Sequence, residues 1–366
     1  MLDKEKWNKK TQDKKRDKKS LPRGVATGSI LALLAAVLLS TILIALTADN
    51  PGDALKSFFI TPWTSLYFLG NMLDRSGLLI VTGLGIALAF KGGTFNLGGE
   101  GQVYAGGLAA VFVLLHAPES LAPAVTILVA LAASLAAGGI LGAVSGILKS
   151  RFGVDELISS FLISSTVAPV ADYLISGPLR DPTSNLLATA RIPARLLLPR
   201  LMEPSSLNVS LLGAVLVALF FAFFMVSTVT GYRIRLAGSN PIFARFAGFS
   251  PSSYWMPVMG VSGALHGLAG FFAVAGTYGL CHRGFSGGIG WNGIAVALIA
   301  RNNPLALIPS AVAFAWLETG ASAALLSSGL SIETGTFIQA VVFLLVTARF
   351  VPLGRKILPA WLGGGK

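Results

Sequence analysis

From Val25 to Ala48 the chain carries no charged side chain, and about 20 apolar residues are what an α-helix needs to cross a bilayer. That stretch is the first of ten, expected near 25–48, 75–90, 102–116, 121–148, 156–176, 207–230, 253–279, 289–300, 304–327 and 334–350. In lipid, backbone polar groups are satisfied only by helices or closed barrels, and runs of this length read as helices. The expected fold class is therefore all-α: a polytopic membrane protein of about ten transmembrane helices. Composition agrees. Apolar residues make up 54% of the 366 and charged residues 12%, about half the charged share of a soluble domain. Mean hydropathy is +0.73. The 42 glycines suit helices packed closely through small residues.

A lone Cys281 excludes an internal disulfide and a thiolate metal cluster. His116, His266 and His282 lie far apart and form no zinc-binding pair, so each reads as a loop or packing residue, and no metal site is expected. The net charge of +12 is uneven. Residues 1–23 hold ten Lys/Arg against Asp3, Glu5, Asp13 and Asp17, a mixed-charge tail with no apolar periodicity, expected to be disordered. With the single aromatic Trp7 and a span directly behind it, the tail reads as a topology signal able to touch anionic lipid. No nucleic-acid partner is expected. The division expected is a basic cytoplasmic tail at 1–24, a transmembrane domain at 25–356 and a short tail at 357–366. Residues 51–72 read as an interfacial segment interrupted by Pro62.

Positive charge orients this map. With both termini on the cytoplasmic side, Lys91, Lys149, Arg151, Arg233, Arg235, Arg245, Arg301, Arg349, Arg355 and Lys356 all fall at cytoplasmic ends, as the positive-inside rule requires. The long 177–206 loop departs from it, carrying Arg180, Arg191, Arg195 and Arg200 on the outer side. Five spans per half would make an inverted repeat, with Ser76-Gly77 and Ser262-Gly263 at matching places.

The stretch 89-AFKGGTFNLGGEGQVYAGG-107 holds five glycines between Gly92 and Gly101, and each costs about 1 kcal/mol relative to Ala inside a helix. The spans on either side are expected to be only about 15 residues, roughly 22 Å, so the break falls at membrane depth. Unwound backbone there lines a cavity or is buried in protein. The second half repeats the pattern in 284-GFSGGIGWNGIAVAL-298. Paired Gly-interrupted segments point to a transport pathway, which makes Phe95, Asn96, Glu100, Gln102, Trp291 and Asn292 its candidate residues. The four polar ones either face the pathway or hold the broken helices together. No GxxxxGK[ST] motif occurs, so the chain is not expected to hydrolyse ATP.

Between the sixth and seventh spans, 231-GYRIRLAGSNPIFARFAGFSP-251 is polar and basic. Asn240-Pro241 can start a short helix and Gly248 can end one, offering a compact surface to a cytoplasmic partner; a solvated loop is the alternative.

GGTFNLGGEGQ, GPLRDP at 177–182, RLAGSNPIFARFAGF and GIAVALIARNNPLALIP together resemble the permeases of bacterial ABC importers for nucleosides, within the branched-chain amino acid and simple sugar permease family. The likeness is collinear from about residue 70 onward, and the FN-x-G-x-EGQ form is similar to the nucleoside branch rather than the sugar branch. It implies a permease subunit of the inner membrane that moves nucleosides by alternating access. It implies an ATP-binding subunit holding ATP and Mg, a second homologous permease in a heterodimer, and an extracytoplasmic binding protein or lipoprotein, with no cofactor in this chain. The 236–250 stretch matches the family's coupling loop, setting Gly238, Asn240, Pro241, Ala244, Arg245 and Gly248 against the ATPase. Arg180, Arg191 and Arg195 would dock the binding protein. Asp155 stands where the family commonly has Asn.

Rival readings are an ABC permease for a simple sugar or amino acid, an ion-coupled secondary transporter, or, more distantly, a membrane-embedded hydrolase. Ion coupling would call for a paired acid in the core. Only Glu318 offers itself, with no visible basic partner, so it is either functional or protonated and packed against Thr319. Replacement of Glu318 by Gln would separate the two transporter classes. Asp172 and Glu333 read as interfacial acids near span ends.

Overall fold

The structure, a computed structural model, describes residues 37–328 together with Thr334, Phe337, Ala340 and Val341. The described residues form helices α1 (Val37–Thr47), α2 (Pro51–Phe59), α3 (Thr61–Thr64), α4 (Leu66–Lys91), α5 (Gly99–His116), α6 (Pro123–Phe152) and α7 (Glu156–Ser176). After a long loop come α8 (Ser210–Ser227), α9 (Val229–Ser239), α10 (Pro241–Phe246), α11 (Ser252–Phe272), α12 (Ile289–Ile299) and α13 (Pro304–Ser328). α11 runs on as a π-helical turn to Tyr278. Extended pairing among these residues is limited to two isolated bridges, Ala188 with His282 and Arg200 with Asn208.

Six of these helices are long and apolar enough to cross a membrane: α4, α6, α7, α8, α11 with its extension, and α13. α1 and α12 are shorter apolar helices, and α5 spends its first turns on Gly99, Glu100, Gly101 and Gln102. The start of the first expected span, most of the 334–350 span, Glu333 and both terminal tails lie outside the described residues.

The helices divide by burial. The apolar windows of α4 and α11 are 83% buried, whereas those of α6, α7 and α8 are 22–28% buried, so two central columns stand inside a ring whose outer faces are apolar and open. α6 packs on α11 through small residues. A Cβ at Gly138 would lie 2.3 Å from the Gly263 carbonyl oxygen, and one at Gly142 would lie 2.2 Å from that of Met259. The backbones meet where no side chain fits, which is how helices associate when lipid competes for every apolar surface. Ser134, in the same seam, donates to the Gly106 or Gly267 carbonyl at 2.8 and 2.7 Å.

One expectation is overturned here. The second span was expected at 75–90, too short to cross; α4 instead begins at Leu66 and has 26 residues. Asp74 and Arg75 looked like a span boundary but lie within the helix, because both find partners inside the protein. Asp74 accepts from Ser206 at 2.8 Å, Asn208 at 2.8 Å and Thr277 at 2.9 Å. Of the two helices flanking the first glycine stretch, α4 is a full span, and α5, at 18 residues, gives its first turn to glycines and polar residues.

Two ends of the bundle can be told apart by contact. Lys91, Arg235 and Arg301 surround one cavity, defining a basic end. Segment 187–208 lies at the other, where Leu198 N bonds Ala275 O at 2.9 Å and Ser206 N bonds Asn71 Oδ1 at 2.9 Å.

Candidate functional site

α4 ends at Gly92, and Gly93 follows with φ +74°, a left-handed conformation that suits glycine. Space demands glycine there too, since its Cβ would sit 2.9 Å from the Gly238 Cα. The chain then runs without helical bonding to Gly98, so its amides need other acceptors. α7 supplies them. Glu156 accepts from Phe95 N at 3.2 Å, Ser160 from Leu97 N at 3.0 Å and Ser164 from Gly101 N at 2.7 Å. These three residues are spaced four apart, which puts them on one face of a helix. Glu156 also pairs with Lys149, whose Nζ reaches the Gly93 carbonyl at 3.3 Å and lies 4.8 Å over the Trp255 ring.

Asn96 and Gln102 close the turn on themselves. The Asn96 amide donates to Gln102 Oε1 at 2.8 Å and to Ser262 Oγ at 2.9 Å, while its oxygen accepts from Gly98 N at 2.9 Å. Both side chains are buried. Of the two roles open to them in the sequence, they hold the broken helix together. Phe95 points the other way, 45% exposed, against the Phe90 ring at 5.0 Å.

The second break spans 279–288 and carries Gly279, Gly284, Gly287 and Gly288 at positive φ. Beyond it the N-termini of α5 and α12 meet. Glu100 Oε2 accepts from Gly290 N at 3.0 Å, and a Cβ on Gly290 would lie 2.3 Å from Glu100 N. A carboxylate at a helix N-terminus complements the partial positive charge there. Next in α12, Trp291 is 37% exposed and lies 5.9 Å from the Phe161 ring.

Glu318 corrects a further expectation, for it does have a basic partner. Arg75 donates to it twice, Nε to Oε2 at 2.8 Å and Nη2 to Oε1 at 3.1 Å. Asn292 Nδ2 donates to Oε1 at 2.7 Å. The same Nη2 holds the Gly287 carbonyl at 3.1 Å. The partner lies 243 residues away in the chain, beyond any local pattern. Asp172 is likewise engaged, accepting from Gly284 N at 2.9 Å.

Sequence reasoning missed Asp74, Arg75, Glu156, Ser160 and Ser164, and took Lys149 only as a cytoplasmic charge. The four-residue spacing of Glu156, Ser160 and Ser164 was a usable signal, as was a charged pair inside an apolar stretch.

At the basic end, α10 starts at Pro241. The Asn240 side chain caps it, accepting from Phe243 N at 3.0 Å, and Gly248 follows with φ +87°. An unexpected helix, α9, precedes it. Asn240, Pro241, Arg245 and Gly248 are exposed, whereas Ala244 is buried. Gly238 packs on the backbone, its Cβ position 2.2 Å from the Lys91 carbonyl oxygen. Sequence reasoning also passed over Ile242, Phe243 and Phe246, which are 70%, 52% and 86% exposed; their i, i+1, i+4 spacing in a short helix was the available sign. At the opposite end, Arg180, Arg191 and Arg195 are all exposed. Arg180 donates to the carbonyls of Leu186 at 3.2 Å and Ser184 at 3.3 Å, and Arg195 to that of Glu119 at 3.5 Å.

Residues 68–347 match the family model described as "Branched-chain amino acid transport system / permease component". A probable riboflavin import permease protein of Treponema pallidum is 38% identical over 322 residues, covering 88% of this chain and 85% of the relative. A glucose ABC transporter permease protein of Haloferax volcanii is 31% identical, covering 91% of this chain and 90% of the relative. A guanosine ABC transporter permease protein of Bacillus subtilis is 30% identical, covering 88% of this chain and 94% of the relative.

Proposed function

The chain belongs to the family of permease components of branched-chain amino acid transport systems, and on that premise we propose that it carries nucleosides into the cell as the membrane-spanning subunit of an ABC importer. The observation that carries this reading is the meeting of two broken helices. α5 and α12 touch N-terminus to N-terminus at Glu100 and Gly290, between the buried columns α4 and α11. Broken helices meeting within a membrane bundle mark a substrate pathway in transporters. Among the groups left exposed beside the breaks are the rings of Phe95, Phe161 and Trp291, with Arg283 the exposed charge in the second break, while Glu100, Arg75 and Glu318 are engaged with the protein. Such a surface suits an uncharged, flat cargo that stacks on aromatic faces.

The cargoes named for two of the relatives, riboflavin and guanosine, both join a flat nitrogen heterocycle to a five-carbon polyol or sugar. A nucleoside has that chemistry. Riboflavin is the second reading, favoured by the 38% identity of the Treponema pallidum relative; the glucose relative keeps a simple sugar as the third.

Mechanistically, α10 would dock on a separate ATP-binding subunit that holds ATP and Mg, with the exposed Ile242, Phe243 and Phe246 as its apolar anchors. Interfaces of this kind gain most from a few desolvated aromatic anchors. Its movement would reach the pathway by a short route, because Gly238 lies against Lys91 and Gly93, and Gly93 opens the segment that carries Phe95. A second, homologous permease would close the exposed aromatic face. A binding protein or lipoprotein would dock on the 177–206 loop through Arg180, Arg191 and Arg195. In this reading the chain makes about ten crossings as an inverted repeat, α4–α5 matching α11–α12, with the basic end and both termini in the cytoplasm.

The test is ATP-dependent uptake into liposomes by the complete transporter, against a panel of nucleosides, riboflavin, glucose and amino acids. Selective nucleoside uptake that vanishes without the ATPase is expected. Selective riboflavin or glucose uptake would replace the cargo, and uptake driven by a proton gradient without ATP would sink the importer reading.

A further inference from the structure

A cavity of about 840 Å³ opens at the basic end, between the C-terminal ends of α4 and α8, the helix α9 and the turn joining α12 to α13. Lys91, Arg235 and Arg301 line it, and among the described residues that line it there is no Asp or Glu. Arg235 Nε is buried without a hydrogen-bond partner. Buried polar groups are normally paired, and an orphaned guanidinium N–H beside the Lys91 ammonium calls for an anion. The cavity's rim is of a different character. Phe223, Val226 and Leu305, which also line it, are 65%, 70% and 52% exposed, and α8 turns most of its surface outward.

We propose that this cavity holds the phosphate of an anionic phospholipid headgroup, with its acyl chains lying along Phe223, Val226 and Leu305. Lys91 and Arg235 beneath an apolar, outward-facing rim match a lipid, which is charged at one end and apolar at the other. Free phosphate or a nucleotide phosphate shares the charge but has no use for the rim. The position gives the site a consequence. Lys91 sits where α4 abuts Gly238 of α9, so a bound phosphate would bridge Lys91 and Arg235 and clasp α9 to the base of the first broken segment. The proposal rests on the membrane placement given above and not on the cargo.

The experiment uses the complete transporter purified in a neutral detergent, with phosphatidylglycerol bound per complex read by native mass spectrometry during a lipid titration. A cation near an anionic lipid surface contributes about fivefold to binding. Arg235→Gln should therefore bind about fivefold more weakly, and Lys91→Gln/Arg235→Gln about twenty-five-fold. The single variant leaves the α4 terminus untouched and serves should the double variant misfold. Arg151→Gln/Arg233→Gln removes the same charge from exposed positions outside the cavity and should bind like the wild type. Equal weakening in that control would overturn the site, reducing the effect to bulk charge. Protection of the complex against thermal unfolding by inorganic phosphate as strong as that by phosphatidylglycerol would overturn the lipid in favour of a soluble anion. Lipid binding is read without transport, so its failure is distinct from failure of the cargo assignment.

Discussion

The two broken segments do the same topological job with different chemistry. The first, 92–98, is fastened through its own backbone: Glu156 and Ser160 take the Phe95 and Leu97 amides, and Ser164 takes that of Gly101 just beyond. Lys149, paired with Glu156, holds the Gly93 carbonyl, and Asn96 and Gln102 lock the turn from within. The second, 279–288, has four glycines at positive φ. Backbone bonds to Leu187, Thr189 and Ile192 hold its first half, and its second half is tied to α4 and α13 through Arg75, which is paired with Glu318 and holds the Gly287 carbonyl. Many bonds spread over α6, α7 and the segment itself, the Lys149–Glu156 pair among them, make a fastening that yields gradually. A single partly buried ion pair at the Gly287 carbonyl makes a fastening to α4 and α13 that is either closed or open, because removing one partner strands the other. The first segment therefore reads as scaffold and the second as the part able to switch.

The largest effect should come from the pair itself. Glu318→Ala strands Arg75; breaking a fully buried pair costs about 3–5 kcal/mol, and this one, with side chains 20% and 12% exposed, should cost somewhat less, to be seen as a clear fall in the melting temperature of the purified transporter and loss of uptake. Arg75→Met/Glu318→Leu removes both charges and should recover most of the stability but not the uptake, if the pair works as a latch. Recovery of both would make it mere packing. Glu318→Gln can still accept one bond from Arg75, so it should fall between these, with the remaining uptake still requiring ATP. Persistence of stability in Glu318→Ala would erase the contrast between the segments.

Next is the junction where the segments meet. Gly290→Ala puts a methyl 2.3 Å from the Glu100 amide, so α5 and α12 must separate, and overpacking of this kind costs about 1–3 kcal/mol. Uptake should fall while the ATPase still assembles with the permease, checked by co-purification. An unchanged uptake rate would mean that the junction already stands open in the working cycle.

How these features appeared in the sequence follows the same division. The first break was legible: its glycines cluster, and its anchors on α7 repeat every four residues. The helical class was legible from apolar runs alone, and the α10 cap from Asn240-Pro241. Asp74 and Arg75 were not, because a charge in an apolar run looks like the end of a span until its partner is known, and Glu318 stood out without showing that it is paired. Ser206, Asn208 and Thr277 lie 132 to 203 residues from Asp74, and Glu318 lies 243 from Arg75. The start of α4 was misplaced for that reason, and with it the idea that both flanks of the first break are short. The exposed anchors Ile242, Phe243 and Phe246 escaped because six residues are too few for a periodic pattern to stand out.

The ladder on α7 gives a smaller effect. Ser164→Ala leaves the buried Gly101 amide without its acceptor, at about 1 kcal/mol, and Ser160→Ala does the same for Leu97. Each should lower the melting temperature slightly and leave uptake near wild type, since the remaining bonds keep the segment in place. If either serine variant abolished uptake while stability held, the first segment would be a moving part too, and the division into scaffold and switch would fail.

The smallest expected effect lies with the rings that the two segments expose. Aromatic contacts add about 0.5–1.5 kcal/mol beyond the area they bury, so Phe95→Leu and Trp291→Leu should each raise the KM for uptake a few-fold without lowering the melting temperature. Phe95 rides on the fixed segment and Trp291 follows the switching one. If only the second moves, Phe95→Leu should weaken cargo binding alike in nucleotide-free and ATP-trapped transporter, while Trp291→Leu should weaken it in one state only. Labelled-cargo binding in the two states measures this directly. Equal dependence of the two variants on nucleotide state would mean that both breaks move together, and that the difference in their fastenings concerns stability and not the transport cycle.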